Sequence, residues 1–142
     1  MPQRLLSVSF EEDESRAVKL VVDLAIGLGG DLWPATHHFC RFITSYSDRS
    51  FFHRIFDNRS VIELGSGTGL TGLFIEKYFT PQTIIVSDLA SHMELMQRNM
   101  SLNESKLCKV LEIDWCSPPQ DGMKYDVIIA LEWYSAYILM IP

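Results

Sequence analysis

Glycines at alternate positions are the first feature of this chain whose type and spacing could do chemistry. Gly65, Gly67 and Gly69 follow the apolar run Val61–Leu64 and precede a helical pattern. Glycine tolerates tight turns and lets a ligand approach the main chain closely. The free N–H groups at the start of the following helix would favour a carboxylate or a phosphate. The pattern therefore predicts a small-molecule site where a strand turns into a helix.

Two acidic residues accompany these glycines. Asp88 closes the next apolar run, about 20 residues beyond the first glycine. A carboxylate at this place can accept hydrogen bonds from both hydroxyls of a ribose. Glu63 directly precedes the turn, and as an anion it would disfavour a pyrophosphate and suit the positively charged methionine end of S-adenosylmethionine. The stretch Gly67–Gly72 also matches G-x-G-x-x-G, so an NAD-binding oxidoreductase stays open as an alternative.

The elements that must position these residues alternate between strands and helices. The strands are predicted at Val61–Leu64, Thr83–Val86, Lys109–Ile113 and Tyr125–Leu131, with helices at Leu70–Tyr78 and Met93–Leu102. Apolar strands separated by helices predict an α/β fold, a Rossmann-like doubly wound parallel sheet covered on both faces. Right-handed crossovers are expected to place consecutive strands as neighbours on one side of the first strand.

The N-terminal part has a different pattern. Arg4–Phe10 and Val18–Ile26 are rich in β-formers and predict a hairpin, and a helix is expected from Pro34 to about Tyr46, followed by a polar stretch. We therefore predict one domain over residues 1–142, with a hairpin and helix extension in 1–46 and a cofactor-binding half in 59–134. Because little sequence follows the fourth strand, we expect this domain to be incomplete, with the C-terminal strands of the full fold missing.

Composition narrows the classes of partner. The 142 residues carry a formal net charge of −6, which argues against nucleic-acid binding and is compatible with a basic protein substrate. The three cysteines show no metal-ligand spacing, so no metal site is expected. No apolar run is long enough for a membrane span and no signal segment is evident, so we expect no membrane partner and a cytoplasmic protein, with the nucleus as a second location.

Several stretches resemble one enzyme family. Val61–Leu70 resembles motif I of the class I (seven-β-strand) S-adenosylmethionine-dependent methyltransferases. Gly29–Ala35 resembles the Gly-x-x-Trp-Pro-Ala segment of the methyltransferase-like, non-SET protein-lysine methyltransferases. Ser87–Leu89 and the pair Asp114-Trp115 resemble the second-strand acid motif and the Asp-Trp motif of that group. The resemblance covers roughly residues 27–132.

The resemblance implies S-adenosylmethionine as cofactor and a lysine of a protein as acceptor. The cofactor-binding residues that it implies, together with Glu63, are Trp33, Gly65, Ser66, Gly67, Asp88, Leu89, Asp114, Trp115 and Ala130. Glu132 and Tyr134 are expected near the target lysine as catalytic residues, although the family carries Asp-x-x-Tyr where this chain has Glu132–Ser135. That departure leaves a second hypothesis, a catalytically inactive, truncated form that only interacts with other molecules.

Overall fold

The computed structural model describes residues 3–12, 14–117 and 122–131. Its strands are β1 (Arg4–Val8), β2 (Val18–Val22), β3 (Ser60–Leu64), β4 (Thr83–Asp88), β5 (Cys108–Glu112) and β6 (Val127–Ala130). Its α-helices are α1 (Pro34–Ser45), α2 (Arg49–Phe56), α3 (Leu70–Tyr78) and α4 (Met93–Leu102). The two residues predicted to be catalytic, Glu132 and Tyr134, lie outside the described residues.

The central sheet has four parallel strands in the order β5-β4-β3-β6. This arrangement confirms the predicted α/β class with a Rossmann-like parallel sheet. The expectation that all strands would follow on one side of β3 was wrong for β6, which pairs with the opposite edge of β3, Val61 facing Val127. That edge belongs to a buried strand, whose main-chain groups need partners. The winding therefore reverses at β3, and open α/β sheets bind ligands at such a switch point.

The elements before the sheet differ in detail from the prediction. β1 and β2 form the predicted antiparallel hairpin, with Arg4 opposite Val22. β2 ends earlier than predicted because the Asp23 side chain accepts a hydrogen bond from Ala25 N and starts a short 3₁₀ turn. Helix α2 lies in the stretch that the sequence indicated as polar, where no helix was predicted. Only Phe52 and Phe56 of this helix are buried, so its apolar stripe is too short to stand out.

The core lies between the sheet and the helices. Val61, Ile84 and Val86 from the sheet belong to the same buried cluster as Leu73 and Phe74 of α3. This packing holds the first turn of α3 at the carboxyl ends of β3 and β4, where the glycines lie.

Two asparagines, one in α4 and one directly after it, take the place of a neighbouring strand along β2. Asn99 Oδ1 accepts a hydrogen bond from Val21 N at 2.7 Å, and its Nδ2 donates to Val21 O at 3.0 Å. Asn103 makes the same pair of hydrogen bonds with Lys19 N and O, at 3.0 and 2.7 Å. Asn99 Nδ2 also donates to Thr68 O, at 2.9 Å, so one buried side chain joins the hairpin to the glycine turn.

We expect the two asparagines to differ in their contribution to stability. Asn99→Ala leaves buried main-chain groups of Val21 and Thr68 without partners, and each such group costs about 1–3 kcal/mol. Asn103→Ala exposes the corresponding groups of Lys19 to water and should cost about 1 kcal/mol. Urea denaturation measures both changes. Only Asn99→Ala also gains helix propensity, which reduces its loss by a few tenths of a kcal/mol, because Asn103 follows the last residue of α4. Equal losses would contradict the assigned role of Asn99.

Candidate functional site

A cavity of about 280 Å³ lies at the carboxyl ends of β3 and β4. Its lining has three sides: the segment around Leu28–Thr36, the turn Gly65–Thr68, and a wall formed mainly by Asp88, Leu89, His92 and Trp115. Its volume is close to the lower end, about 300 Å³, of pockets that hold small organic ligands. The cavity therefore lies where the sequence predicted a ligand site.

The glycine turn is built from left-handed main-chain conformations. Gly65, Gly67 and Gly69 have φ values of +70°, +54° and +79°, which side-chain-bearing residues rarely adopt. A Cβ atom on Gly67 would lie 2.7 Å from the carbonyl oxygen of Gly29, so the turn lies directly against the N-terminal segment. The Ser66 hydroxyl donates to Glu63 O and accepts from Ser87 N, which holds the turn against the end of β4.

Asp88 joins the turn to the end of β4. Its Oδ2 accepts a hydrogen bond from Gly67 N at 2.8 Å, and its Oδ1 accepts one from Leu89 N at 2.8 Å. The Nδ1 atom of His92 lies 3.3 Å from Oδ1. Since a carboxylate offers about four lone-pair sites, Oδ2 keeps a site for a further donor in this conformation. The acceptance of ribose hydroxyls by Asp88 stays a prediction.

Glu63 differs from the expected anion. Its side chain is buried, is absent from the cavity lining, and has one carboxylate oxygen, Oε2, without a hydrogen-bond partner among the described residues. Burial, with a smaller contribution from the negative charge of Asp88, raises the pKa of Glu63 to about 7. Protonated Glu63 is therefore populated at neutral pH. A buried, partly protonated side chain outside the cavity lining gives no reason to expect a cationic ligand.

The raised pKa of Glu63 predicts a pH-dependent stability. The folded state binds the proton of Glu63 more tightly than the unfolded state does. The resulting contribution to the free energy of unfolding is complete below the ordinary pKa of 4.5 and is lost as pH rises through about 7. Relative to wild type, Glu63→Gln should therefore gain up to about 3 kcal/mol in free energy of unfolding between pH 4.5 and 8. Denaturant unfolding of both proteins over this range measures the gain.

Glu76→Gln is the matched control, because the pKa of Glu76 is shifted in the opposite direction. Burial alone would raise the pKa of Glu76, but hydrogen bonds from Ser105 and from the N–H groups of Lys106 and Leu107 lower it. The stability that Glu76 contributes is present above pH 4.5 and is lost as pH falls, so its variant should show the opposite trend. A pH-independent difference between wild type and Glu63→Gln would refute the assignment.

The other predicted site residues divide into two groups. The structure brings Trp33 and Trp115 to the cavity, together with Gly65, Ser66, Gly67, Asp88 and Leu89. The Trp115 ring lies on Gly65, where a Cβ atom would be 3.0 Å from the indole carbon Cζ2. Asp114 and Ala130 do not line the cavity. Asp114 Oδ1 instead accepts a hydrogen bond from Cys116 N within its own loop.

Some lining residues were missed by the sequence reasoning. The chief example is His92, for which the sequence suggested a surface or core position, and which lies in the cavity wall beside Asp88. The spacing of four residues between Asp88 and His92, at a predicted helix start, was the available signal. Leu131, adjacent to the predicted Ala130, also lines the cavity.

The cavity fits a nucleoside-bearing ligand. Gly65 and Gly67 leave space that a side chain would fill, Asp88 is placed to accept from hydroxyls, and the aromatic faces of Trp33 and Trp115 suit a flat heterocycle. Within the described ranges, no helix is long and apolar enough to cross a membrane and no cluster of three or more potential metal ligands occurs. Fold and site together define a Rossmann-like domain with a cavity suited to a nucleoside-bearing ligand.

The family follows from a sequence comparison. A profile described as lysine methyltransferase matches residues 12–135, and the chain belongs to that family. The match confirms the resemblance inferred from the motifs.

Relatives with assigned names are similar over part of their length. The protein-lysine N-methyltransferase EFM6 of Saccharomyces cerevisiae is 32% identical over 113 residues, which cover 68% of this chain and 46% of that protein. The protein-lysine N-methyltransferase EEF2KMT of Homo sapiens is 39% identical over 74 residues, covering 43% and 22%. A solved protein-L-isoaspartate O-methyltransferase aligns with 89% of this chain and 33% of its own, at a TM-score of 0.43 and 10% identity. These alignments span less than half the length of each of these relatives.

Proposed function

We propose that this chain binds S-adenosylmethionine and transfers its methyl group to a lysine of a protein substrate. The observation that carries the proposal is the cavity in which the glycine turn, Asp88 and two tryptophans meet at the switch point of the sheet. Membership in the lysine methyltransferase family supports the same reaction. The names of the relatives support a protein as the acceptor.

The proposed roles follow the geometry of the cavity. Asp88 would accept from the ribose, Leu89 and Trp115 would contact the adenine, and Trp33 would close the side formed by the N-terminal segment. The turn Gly65–Gly67 would face the amino-acid end. Asp114 and Ala130, which lie beside the lining, would act through the neighbouring Trp115 and Leu131. The expected roles of Glu132 and Tyr134 at the target lysine are part of the same proposal.

The bound cofactor would supply a methyl group on a positively charged sulfur. The chain then has to align that methyl group with the acceptor amine, exclude water and keep the amine neutral, since only a neutral amine can attack. The formal net charge of −6 is compatible with a basic segment around the acceptor lysine.

Cofactor binding tests the first half of the proposal. Asp88→Ala should weaken S-adenosylhomocysteine binding by about 10- to 100-fold, because the ribose loses a charged acceptor worth about 1.5–3 kcal/mol. Isothermal titration calorimetry measures the affinity, with circular dichroism to confirm folding. Asp126→Ala is the matched control, since Asp126 also binds a main-chain N–H group, that of Ser60, but lies outside the cavity. Wild-type affinity in Asp88→Ala would refute the assigned pocket.

Methyl transfer tests the second half. Incubation with methyl-labelled S-adenosylmethionine and a protein extract should label lysine in at least one protein, and the label should disappear with Asp88→Ala. Cofactor binding without any transfer would favour the inactive, interacting form instead. A change in nicotinamide fluorescence on titration, without S-adenosylhomocysteine binding, would favour the oxidoreductase alternative.

A further inference from the structure

His92 lies between two walls of the cavity. It ends the 3₁₀ turn Ala90–His92 that leads into α4, and only 8% of its surface is exposed. Its Nδ1 atom lies 3.3 Å from Asp88 Oδ1 and 3.1 Å from the Ser91 hydroxyl. Its Nε2 atom is buried and has no hydrogen-bond partner among the described residues.

The Nδ1 edge of His92 lies beside the Asp88 carboxylate. This approach, at 3.3 Å, is an electrostatic contact, while the hydrogen bond of Nδ1 is with the Ser91 hydroxyl, at 3.1 Å. The contact with Oδ1 is attractive when hydrogen is on Nδ1. Leu89 N donates to the same oxygen, while Gly67 N donates to Oδ2. Neighbours on both oxygens leave the carboxylate plane little freedom to rotate. A restrained acceptor loses less entropy when it binds a ligand, so restraint of this kind strengthens binding.

The opposite edge of His92 lies against the N-terminal segment. A Cβ atom on Gly29 would overlap the imidazole ring, so only glycine at this position lets the ring and the main chain approach this closely. The carbonyl oxygen of the same Gly29 lies over Gly67. One imidazole ring therefore contacts both the acid at the end of β4 and the segment that forms the facing wall.

We propose that His92 is a positioning residue for the ribose of the cofactor, acting through Asp88. The proposal rests on the proposed function, because it requires a ribose-bearing ligand in this cavity. It assigns the effect to the Nδ1 edge, which is the edge that approaches the carboxylate.

Two substitutions separate the edges of the ring. The side-chain amide of Asn can place its N–H group near the position of Nδ1, and that of Gln can place it near Nε2. His92→Asn should therefore keep S-adenosylhomocysteine affinity within about 2-fold of wild type, whereas His92→Gln should lose about 5- to 20-fold, which lies within the range of coupling between contacting residues. Calorimetry measures the affinities, and thermal unfolding without ligand measures folding.

A ligand analogue distinguishes positioning from a general structural role. The 2′-deoxy and 3′-deoxy analogues of S-adenosylhomocysteine each lack one hydroxyl that could donate a hydrogen bond to Asp88. With the analogue that loses the Asp88 contact, the penalty of His92→Gln should shrink to less than 2-fold. An equal penalty for all three ligands would mean a structural role and overturn the proposal, as would tighter binding of the parent ligand by His92→Gln.

A second histidine provides the matched control. His53 forms a pair with Asp57 at the same spacing of four residues, with 2.8 Å between Nδ1 and Oδ2, away from the cavity. His53→Gln should leave the affinity unchanged. If wild type binds none of the ligands, the proposed function fails. If wild type binds but His92→Gln binds as tightly, only the role of His92 fails.

Discussion

The close approach of two main-chain segments, at Gly67 and Gly29, is the constraint on which the site depends. A single Cβ atom on Gly67 would lie 2.7 Å from the Gly29 carbonyl oxygen, so the contact exists only while position 67 has no side chain. The same residue donates its N–H group to Asp88. Three parts of the chain thus meet at one peptide unit: the segment before α1, the turn after β3 and the acid at the end of β4. The cavity is the space that remains beside this junction.

The N-terminal hairpin belongs structurally to the site, although it lies outside the parallel sheet. Asn99 joins Val21 of β2 to the glycine turn, and Asp23 N donates to Gly30 O at 2.8 Å. The segment that faces the turn is therefore held by hydrogen bonds near its beginning. This explains why the motifs of the chain begin well before the strand that carries the glycines. A parallel sheet alone would leave one side of the cavity open.

The sequence predicted those features that depend on local pattern. The apolar runs and the glycines at 65–69 were enough to place the four strands, the turn and helix α3. Features that depend on tertiary neighbours were missed or wrong. The pairing of β6 with the second edge of β3 depends on which main-chain groups of the sheet need partners. The raised pKa of Glu63 depends on burial by surrounding elements. His92 packs against Gly29, which is distant in sequence, so the local pattern alone did not indicate its place at the cavity.

The residues at the cavity contribute in two ways, and some of them, such as Asp88 and Ser66, both support the turn and line the cavity. Polar side chains that bind the main chain, such as Asn99, Asp88 and Ser66, hold the turn and the walls in place. The lining itself includes apolar and aromatic surfaces, among them Trp33 and Trp115. A change in the lining can alter which ligand fits without disturbing the turn, whereas loss of a main-chain contact affects every ligand. Hydrogen bonds to the main chain therefore set the shape of the cavity, and its apolar and aromatic surfaces determine which ligand it suits.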